Sequence, residues 1–333
     1  MTLAVRLDAP RRWLDVVEDY VGYVTPLARR VRRRRHLPAM LALKTIEWAV
    51  YRWHQPALVR SYEAQEVWQL LFQITSRCTD RCEKCGIWRR PEAVTDRVEL
   101  HQVERSLEAL AGRLGSFTVT GGEPLLYKED VLRLARRAEE LRVPMTVVSN
   151  ATLADADFVR EFGALGHTLV VSIDTLDVER WRRFRGRDNR STVLANVERA
   201  IQALGPRLKV QSVLAAETVS DVEGVAAWCR SVRICHAVQP WMDFGGGWTP
   251  APAGRPGRGS RCEAWRNVCI YPNGDVVRCF DHERLEVARA PLGNLKRDRI
   301  EDLLETPRAH EVTAAMRTCH LPCSQLSCNR AGA

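Results

Sequence analysis

Cys78, Cys82 and Cys85 stand in the spacing C-x3-C-x2-C, directly after a short apolar run. Thiolates are ligands for iron and zinc. Three of them on one loop can hold three irons of a cubane cluster. The fourth iron then has no protein ligand and is open to a small molecule bearing an amine and a carboxylate. Electron-transfer clusters are held by four cysteines and have no such opening. The competing reading is a zinc site. Zinc in structural sites takes four ligands, and the nearest histidine, His101, lies beyond a helix start. Spacing and position therefore favour iron–sulfur.

The chain has eleven cysteines. Six fall in a second group, Cys262, Cys269, Cys279, Cys319, Cys323 and Cys328, of which the last three are spaced C-x3-C-x4-C. Cys229 and Cys235 lie between the groups and read as buried free thiols. The N-terminus turns charged at Arg6, Asp8, Arg11 and Arg12, with no apolar stretch leading to a small-residue cleavage site. A cytoplasmic, reducing location is expected, where clustered cysteines read as metal or redox groups rather than disulfides.

These residues need a scaffold, and the hydrophobic pattern supplies one. Strand candidates are Val67–Thr75, Phe117–Thr120, Met145–Ser149, Leu169–Ile173, Lys209–Leu214 and Ile234–Gln239. Amphipathic segments such as Glu129–Leu141, Asp155–Phe162, Thr192–Leu204 and Val219–Val232 separate them. The alternation reads as parallel βα units that curl into an open or partial barrel. The cysteine loop then sits at the carboxyl end of the first strand, where such folds place chemistry. Residues 245–260, with Gly245-Gly246-Gly247 and Pro250–Gly259, read as a Pro/Gly-rich linker. Val268–Val277 around Asn273-Gly274 signals a hairpin, and Ile300–Met316 reads as one helix. The expected division is 1–66, 67–244, 245–260 and 261–333.

The chain of 333 residues is 45% hydrophobic, enough for a large core. Of its net charge of +9, residues 1–66 supply +5, with 12 Lys/Arg against 7 Asp/Glu. The remainder is nearly balanced, which argues against a chain built around nucleic acid. The extension reads as helical, and Leu37–Trp53, interrupted by Lys44 and Glu47, is too short and charged to span a bilayer. The run Arg29–Arg35 reads as a solvated helical face. Two sharper readings place it, with Trp48 and Trp53, on the anionic inner face of a membrane, or on a phosphate-bearing ligand or nucleic acid.

The triplet after a first strand, followed by Thr120-Gly121-Gly122-Glu123-Pro124 after the second, resembles the radical S-adenosylmethionine (SAM) superfamily over roughly residues 68–240. The resemblance implies a partial (β/α)6 TIM-like barrel, and a [4Fe–4S] cluster on Cys78, Cys82 and Cys85 that binds SAM. It implies that Gly121, Gly122, Glu123 and Pro124 hold the SAM amino group. Glycines allow close backbone approach, and a carboxylate accepts from an ammonium. Ser149 and Asn150, Ser172 and Asp174, Arg185 with Gly186, and Trp88 fall where relatives contact SAM, and Arg185 would pair with its carboxylate. Each alone also reads as a strand-end polar group, a helix cap or core.

The tail is similar to the SPASM and twitch extensions of that superfamily, which hold auxiliary [4Fe–4S] clusters. A full SPASM extension uses seven cysteines; six here imply one auxiliary cluster, on Cys262, Cys279 and two of Cys319, Cys323 and Cys328. Cys269 ligates or points into the core, and a zinc knuckle is the competing reading. The activity implied is reductive cleavage of SAM to a 5′-deoxyadenosyl radical that abstracts a hydrogen atom, with an electron donor such as flavodoxin or ferredoxin. Cys229 or Cys235, if facing the substrate, would return a hydrogen atom. The expected substrate is a small metabolite such as a sugar, aminoglycoside or nucleoside-type intermediate. The reaction would be dehydrogenation, epimerisation or carbon–carbon bond formation. A peptide-modifying enzyme is the alternative, and a non-catalytic iron–sulfur or zinc protein a remote one.

Overall fold

The computed structural model describes residues 67–90, 96–241, 244–249, 264–280 and 285–318. The basic extension 1–66, with Arg29–Arg35, Trp48 and Trp53, lies outside the described residues, as do Cys262, Cys319, Cys323 and Cys328.

Six strands pair in parallel in strict chain order: β1 (Val67–Gln73), β2 (Leu114–Thr120), β3 (Met145–Ser149), β4 (Thr168–Ser172), β5 (Leu208–Leu214) and β6 (Cys235–Pro240). Between them run α1 (Leu100–Leu110), α2 (Lys128–Glu140), α3 (Ala156–Ala164), α4 (Val178–Arg185), α5 (Arg190–Leu204) and α6 (Val222–Val232). Crossovers between parallel strands are right-handed, so sequential strand order puts every helix on one face of the sheet. Burial agrees. Leu70, Phe72, Phe117, Val119, Val147, Val171 and Val210 alternate along the strands and share one core with Leu107, Leu134, Phe158 and Val197 of the helices. The result is a partial TIM-like α/β barrel.

Local chemistry sets the helix ends. Asp155 and Asp177 cap α3 and α4 by accepting from the amides of Phe158 and Arg180. Gly186, at φ 63°, ends α4 in the left-handed region. The expected single helix Ile300–Met316 is two, α7 (Ile300–Leu304) and α8 (Pro307–Arg317). Pro307 has no amide hydrogen to continue a helix, and the Thr306 side chain caps a new one by accepting from Ala309 N.

The described part of the C-terminal subdomain joins the barrel sheet. Strand β7 (Asn267–Ile270) pairs in parallel with β1, Leu70 opposite Val268, and β8 (Asp275–Val277) and β9 (Gly293–Asn294) extend the same sheet antiparallel. The anticipated hairpin is present, with Gly274 at φ 91° in its turn. Gly245–Gly247 open the stretch that reads as a linker. They lie against the cysteine loop, as described next.

Candidate active site

The loop from Ile74 to Gly86 leaves the carboxyl end of β1 and is held by backbone hydrogen bonds from three other elements. After β2, Gly122 N donates to Thr75 O (2.7 Å) and Glu123 N to Arg77 O (2.8 Å). At the end of α4, the carbonyls of Arg185 and Phe184 accept from Arg81 N (2.8 Å) and Glu83 N (3.0 Å). After β6, Gly86 N donates to Phe244 O and Gly247 N to Glu83 O, both 2.7 Å. Two glycines make these approaches possible. A Cβ at Gly122 would collide with the Arg77 carbonyl, and one at Gly246 with the Lys84 carbonyl. Trp248 fixes the segment after β6. Its ring meets Phe184 edge-on at 4.7 Å, and its Nε1 donates to Glu83 Oε2 at 3.3 Å. The cysteine loop is thus preformed by backbone contacts that include no thiol.

Burial pushes the Cys78 thiol up to about 12 and Cys82 up to about 11, and raises Cys85. Two cations, the buried Arg185 and the half-buried Lys84, oppose this. Arg185 and Lys84 both favour the Cys82 thiolate, and Lys84 also favours that of Cys85. Each cation is anchored. Arg185 is 4% exposed, lies 3.3 Å from Asp80, and donates to the Ser172 carbonyl. Burial alone would lower its pKa, but the charges of Cys82, Asp174 and Asp80 raise it. Lys84 lies 2.5 Å from Asp174. Burial pushes Asp174 up, yet the charges of Lys84 and Arg185 hold it below the usual carboxylate range. Asn189 completes the group by donating to Asp80 Oδ1 (2.8 Å).

Glu123 is fully buried and accepts from Ser149 Oγ (2.7 Å), Asn150 N (2.8 Å) and Leu125 N (2.9 Å). Burial raises its pKa to about 7 despite these donors. Asn150 carries the chain onward, donating through Nδ2 to Thr79 Oγ1 (2.8 Å) and to Cys78 Sγ (3.8 Å). The acid turn, the end of β3 and the first cysteine are therefore one connected unit.

The structure brings together most of the residues singled out by sequence. Gly121–Pro124, Ser149 and Asn150 join Cys78 through the Glu123 network. Asp174 pairs with Lys84, Arg185 acts on Cys82, and the Ser172 carbonyl accepts from Arg185. Trp88 donates from Nε1 to the Cys82 carbonyl (3.3 Å), with Arg81 and Arg89 over its ring. Arg185 pairs with Asp80 and donates to the Ser172 carbonyl. Cys229 and Cys235 are not at the site. Cys229 is buried in the core near the end of α6, and Cys235 opens β6 opposite Lys209, at the strand end away from the cysteine loop. A hydrogen-donor role does not fit that position. In the tail, burial raises the pKa of Cys269, and the neighbouring Cys279 adds to the rise.

Sequence reading missed Asp80, Lys84, Asn189, Gly246 and Trp248. Asp80 and Lys84 lie between the cysteines, so a search for acids and bases inside the triplet would have found them. Asn189, Gly246 and Trp248 gave no local signal.

The residues present fit an iron–sulfur cluster. Three thiols share one preformed loop, and two cations beside them, Arg185 and Lys84, would offset the negative charge that iron-bound thiolates carry. The sequence pattern of the Radical SAM superfamily matches residues 72–229, and that of the SPASM iron–sulfur cluster-binding domain matches residues 262–329. The chain belongs to the radical SAM superfamily and carries a SPASM extension. The radical SAM domain binds SAM and a [4Fe–4S] cluster, and the SPASM domain implies an auxiliary iron–sulfur cluster.

Relatives and neighbours follow from this. A GTP 3′,8-cyclase of Rhodococcus opacus (strain B4) is 29% identical over 167 residues, 48% of this chain and 47% of that protein. One from Actinobacillus pleuropneumoniae serotype 5b (strain L20) is 26% identical over 53% of each. The chain thus spans about half the length of the curated relatives it matches. Among solved structures, Streptococcus suis SuiB bound to S-adenosylmethionine aligns with TM-score 0.64 and 16% identity, covering 94% of this chain and 84% of that one. The anSMEcpe structure with bound AdoMet and Cp18Cys peptide aligns with TM-score 0.56 and 18% identity, over 79% and 88%. Among the described residues, no helix is long and apolar enough to cross a membrane.

Proposed function

We propose that this enzyme cleaves SAM reductively and abstracts a hydrogen atom from a small, polar metabolite. The observation that carries the reading is the single hydrogen-bonded unit formed by the cysteine loop, the Gly121–Pro124 turn and the strand-end residues Ser149 and Asn150. When bound and reduced, the cluster supplies the electron that opens a carbon–sulfur bond of SAM. Cys78, Cys82 and Cys85 would hold it, and Arg185 and Lys84 offset its charge. Glu123 fixes the turn against β3, with one carboxylate position left to accept from the amino group of SAM. Lys84 keeps Asp174 ionised at the end of β4, where it can accept a hydrogen bond. A reductant such as flavodoxin or ferredoxin supplies the electron.

The small-metabolite reading is supported by the sequence relatives, which are named for GTP, a small polar molecule. A peptide substrate is the second reading, favoured by SuiB bound to its precursor peptide SuiA, which aligns over 96% of this chain at 15% identity. One auxiliary cluster, on Cys279 with Cys262, two of Cys319, Cys323 and Cys328, and Cys269 as an alternative ligand, completes the assignment. The test is anaerobic reconstitution with iron and sulfide, then dithionite and SAM. Release of 5′-deoxyadenosine is expected; its absence from a fully iron-loaded chain overturns the reading.

A further inference from the structure

Lys84 stands between Cys82 and Cys85, and its main chain is clamped beside them. Cys85 N donates to Cys82 O across it (3.2 Å), and Gly246 packs on its carbonyl. Its side chain leaves the loop and ends 2.5 Å from Asp174 Oδ2 at the end of β4. The other oxygen of that carboxylate accepts from Val213 N (3.0 Å), so β5 holds the anion in turn. The ammonium also lies over the Trp248 ring, 5.3 Å from its centroid. Ion pair and ring together fix a side chain that otherwise has wide rotamer freedom. Lys84 is 17% exposed and Asp174 2%, so water screens this charge weakly.

The two cations of the site are not equivalent. Arg185 favours the Cys82 thiolate, but its partner Asp80 disfavours the thiolates of both Cys82 and Cys78. The members of that pair therefore oppose each other at the same sulfur. Lys84 favours the thiolates of Cys82 and Cys85. The carboxylates that act most on the three thiols are Asp80 and Glu123, not Asp174. The Lys84–Asp174 pair thus presents its positive end to the cysteines. Charge beside an iron–sulfur cluster moves its reduction potential, and more so where water is excluded. One-electron reduction adds a negative charge, which a fixed cation stabilises, so the potential rises.

We propose that Lys84 sets the reduction potential of the cluster on Cys78, Cys82 and Cys85, its ammonium being held in place by Asp174 and Trp248. The step concerned moves one electron from an external reductant to the cluster, and no bond forms or breaks in it. This rests on the cluster assignment and is independent of which substrate the enzyme takes.

The test is a redox titration of the reconstituted full chain with dithionite and mediator dyes. It follows the electron paramagnetic resonance signal that addition of SAM alters, and iron and sulfide are counted in every sample. Lys84→Met should shift the equilibrium constant for reduction at least tenfold toward the oxidised form, a fall of about 59 mV or more in midpoint potential. Lys84→Arg, which keeps the cation, should show less than half of that fall. Lys84→Met/Asp174→Asn also removes the carboxylate that the single variant strands; with the cation still absent, its potential should lie below the wild-type value too. Signals that SAM leaves unaltered should keep their potentials. A lysine that only supports the loop would lower the iron content and leave the potential of the remaining cluster unmoved. That result overturns the proposal, as do equal falls in Lys84→Met and Lys84→Arg, or loss of the SAM-responsive signal from both Met variants. A wild-type chain that binds no iron at the triplet overturns the cluster assignment itself; a loaded chain whose potential ignores Lys84→Met overturns this proposal alone.

Discussion

The Arg185 guanidinium and the Asp80 carboxylate lie 3.3 Å apart, with 4% and 1% of their side-chain surface exposed. The pair ties the last residue of α4 to the loop between Cys78 and Cys82. Removing one member of such a pair leaves a buried charge without its partner, which typically destabilises by about 3–5 kcal/mol. Arg185→Gln is expected to lower the unfolding free energy of the iron-free chain by about that much in urea titration. The Asp80→Asn/Arg185→Gln double variant should lose less than the two single variants combined.

Gly246 is the second point of leverage on the same loop. Gly246→Ala forces the Lys84 peptide away and with it the Cys82–Cys85 segment. Reconstituted Gly246→Ala should bind about one cluster's worth less iron than the wild-type chain and lose the SAM-dependent change in its electron paramagnetic resonance signal. Gly112→Ala, where an added Cβ meets nothing within 4 Å, should leave both unchanged.

Glu123 makes stability depend on pH. Its folded-state ionisation lies near 7, above the ordinary value of 4.5, so the folded chain holds a proton that the unfolded chain releases. Its contribution to stability is fully present below about pH 4.5 and is lost as pH rises through about 7. Denaturant midpoints of the iron-free chain should fall across that window. Glu123→Gln should flatten that part of the profile and weaken SAM binding by equilibrium dialysis.

Iron counting separates the two cysteine groups. A Cys78→Ala/Cys82→Ala/Cys85→Ala chain should keep only the auxiliary iron, while Cys279→Ser should keep the SAM-site cluster. Cys269→Ser decides whether the buried neighbour of Cys279 is a ligand: unchanged iron would mark it as a core thiol.

Chelation also has a sign that can be worked out. Iron binding requires thiolates, and burial holds the Cys78 and Cys82 thiols protonated up to about 12 and 11. Loading should therefore release protons and become more favourable as pH rises, read as proton release in unbuffered titrations.

The amino-acid sequence by itself determined the βα alternation, the cysteine loop after the first strand, the acid turn after the second, and the hairpin at Asn273-Gly274. Those signals are local: hydrophobic periodicity, cysteine spacing and turn chemistry survive in a linear string. Tertiary structure decided the rest. Strand order put the six helices between β1 and β6 on one face of the sheet. It placed β7 beside β1, so the tail extends the barrel sheet. It turned Gly245–Gly247, a linker by composition, into a clamp on the cysteine loop, and it committed Arg185 to Asp80. Each of these outcomes joins residues far apart in the chain through close backbone approach or buried charge. Nothing in either partner's neighbourhood reports such a contact, because its energy exists only once the two segments exclude water between them.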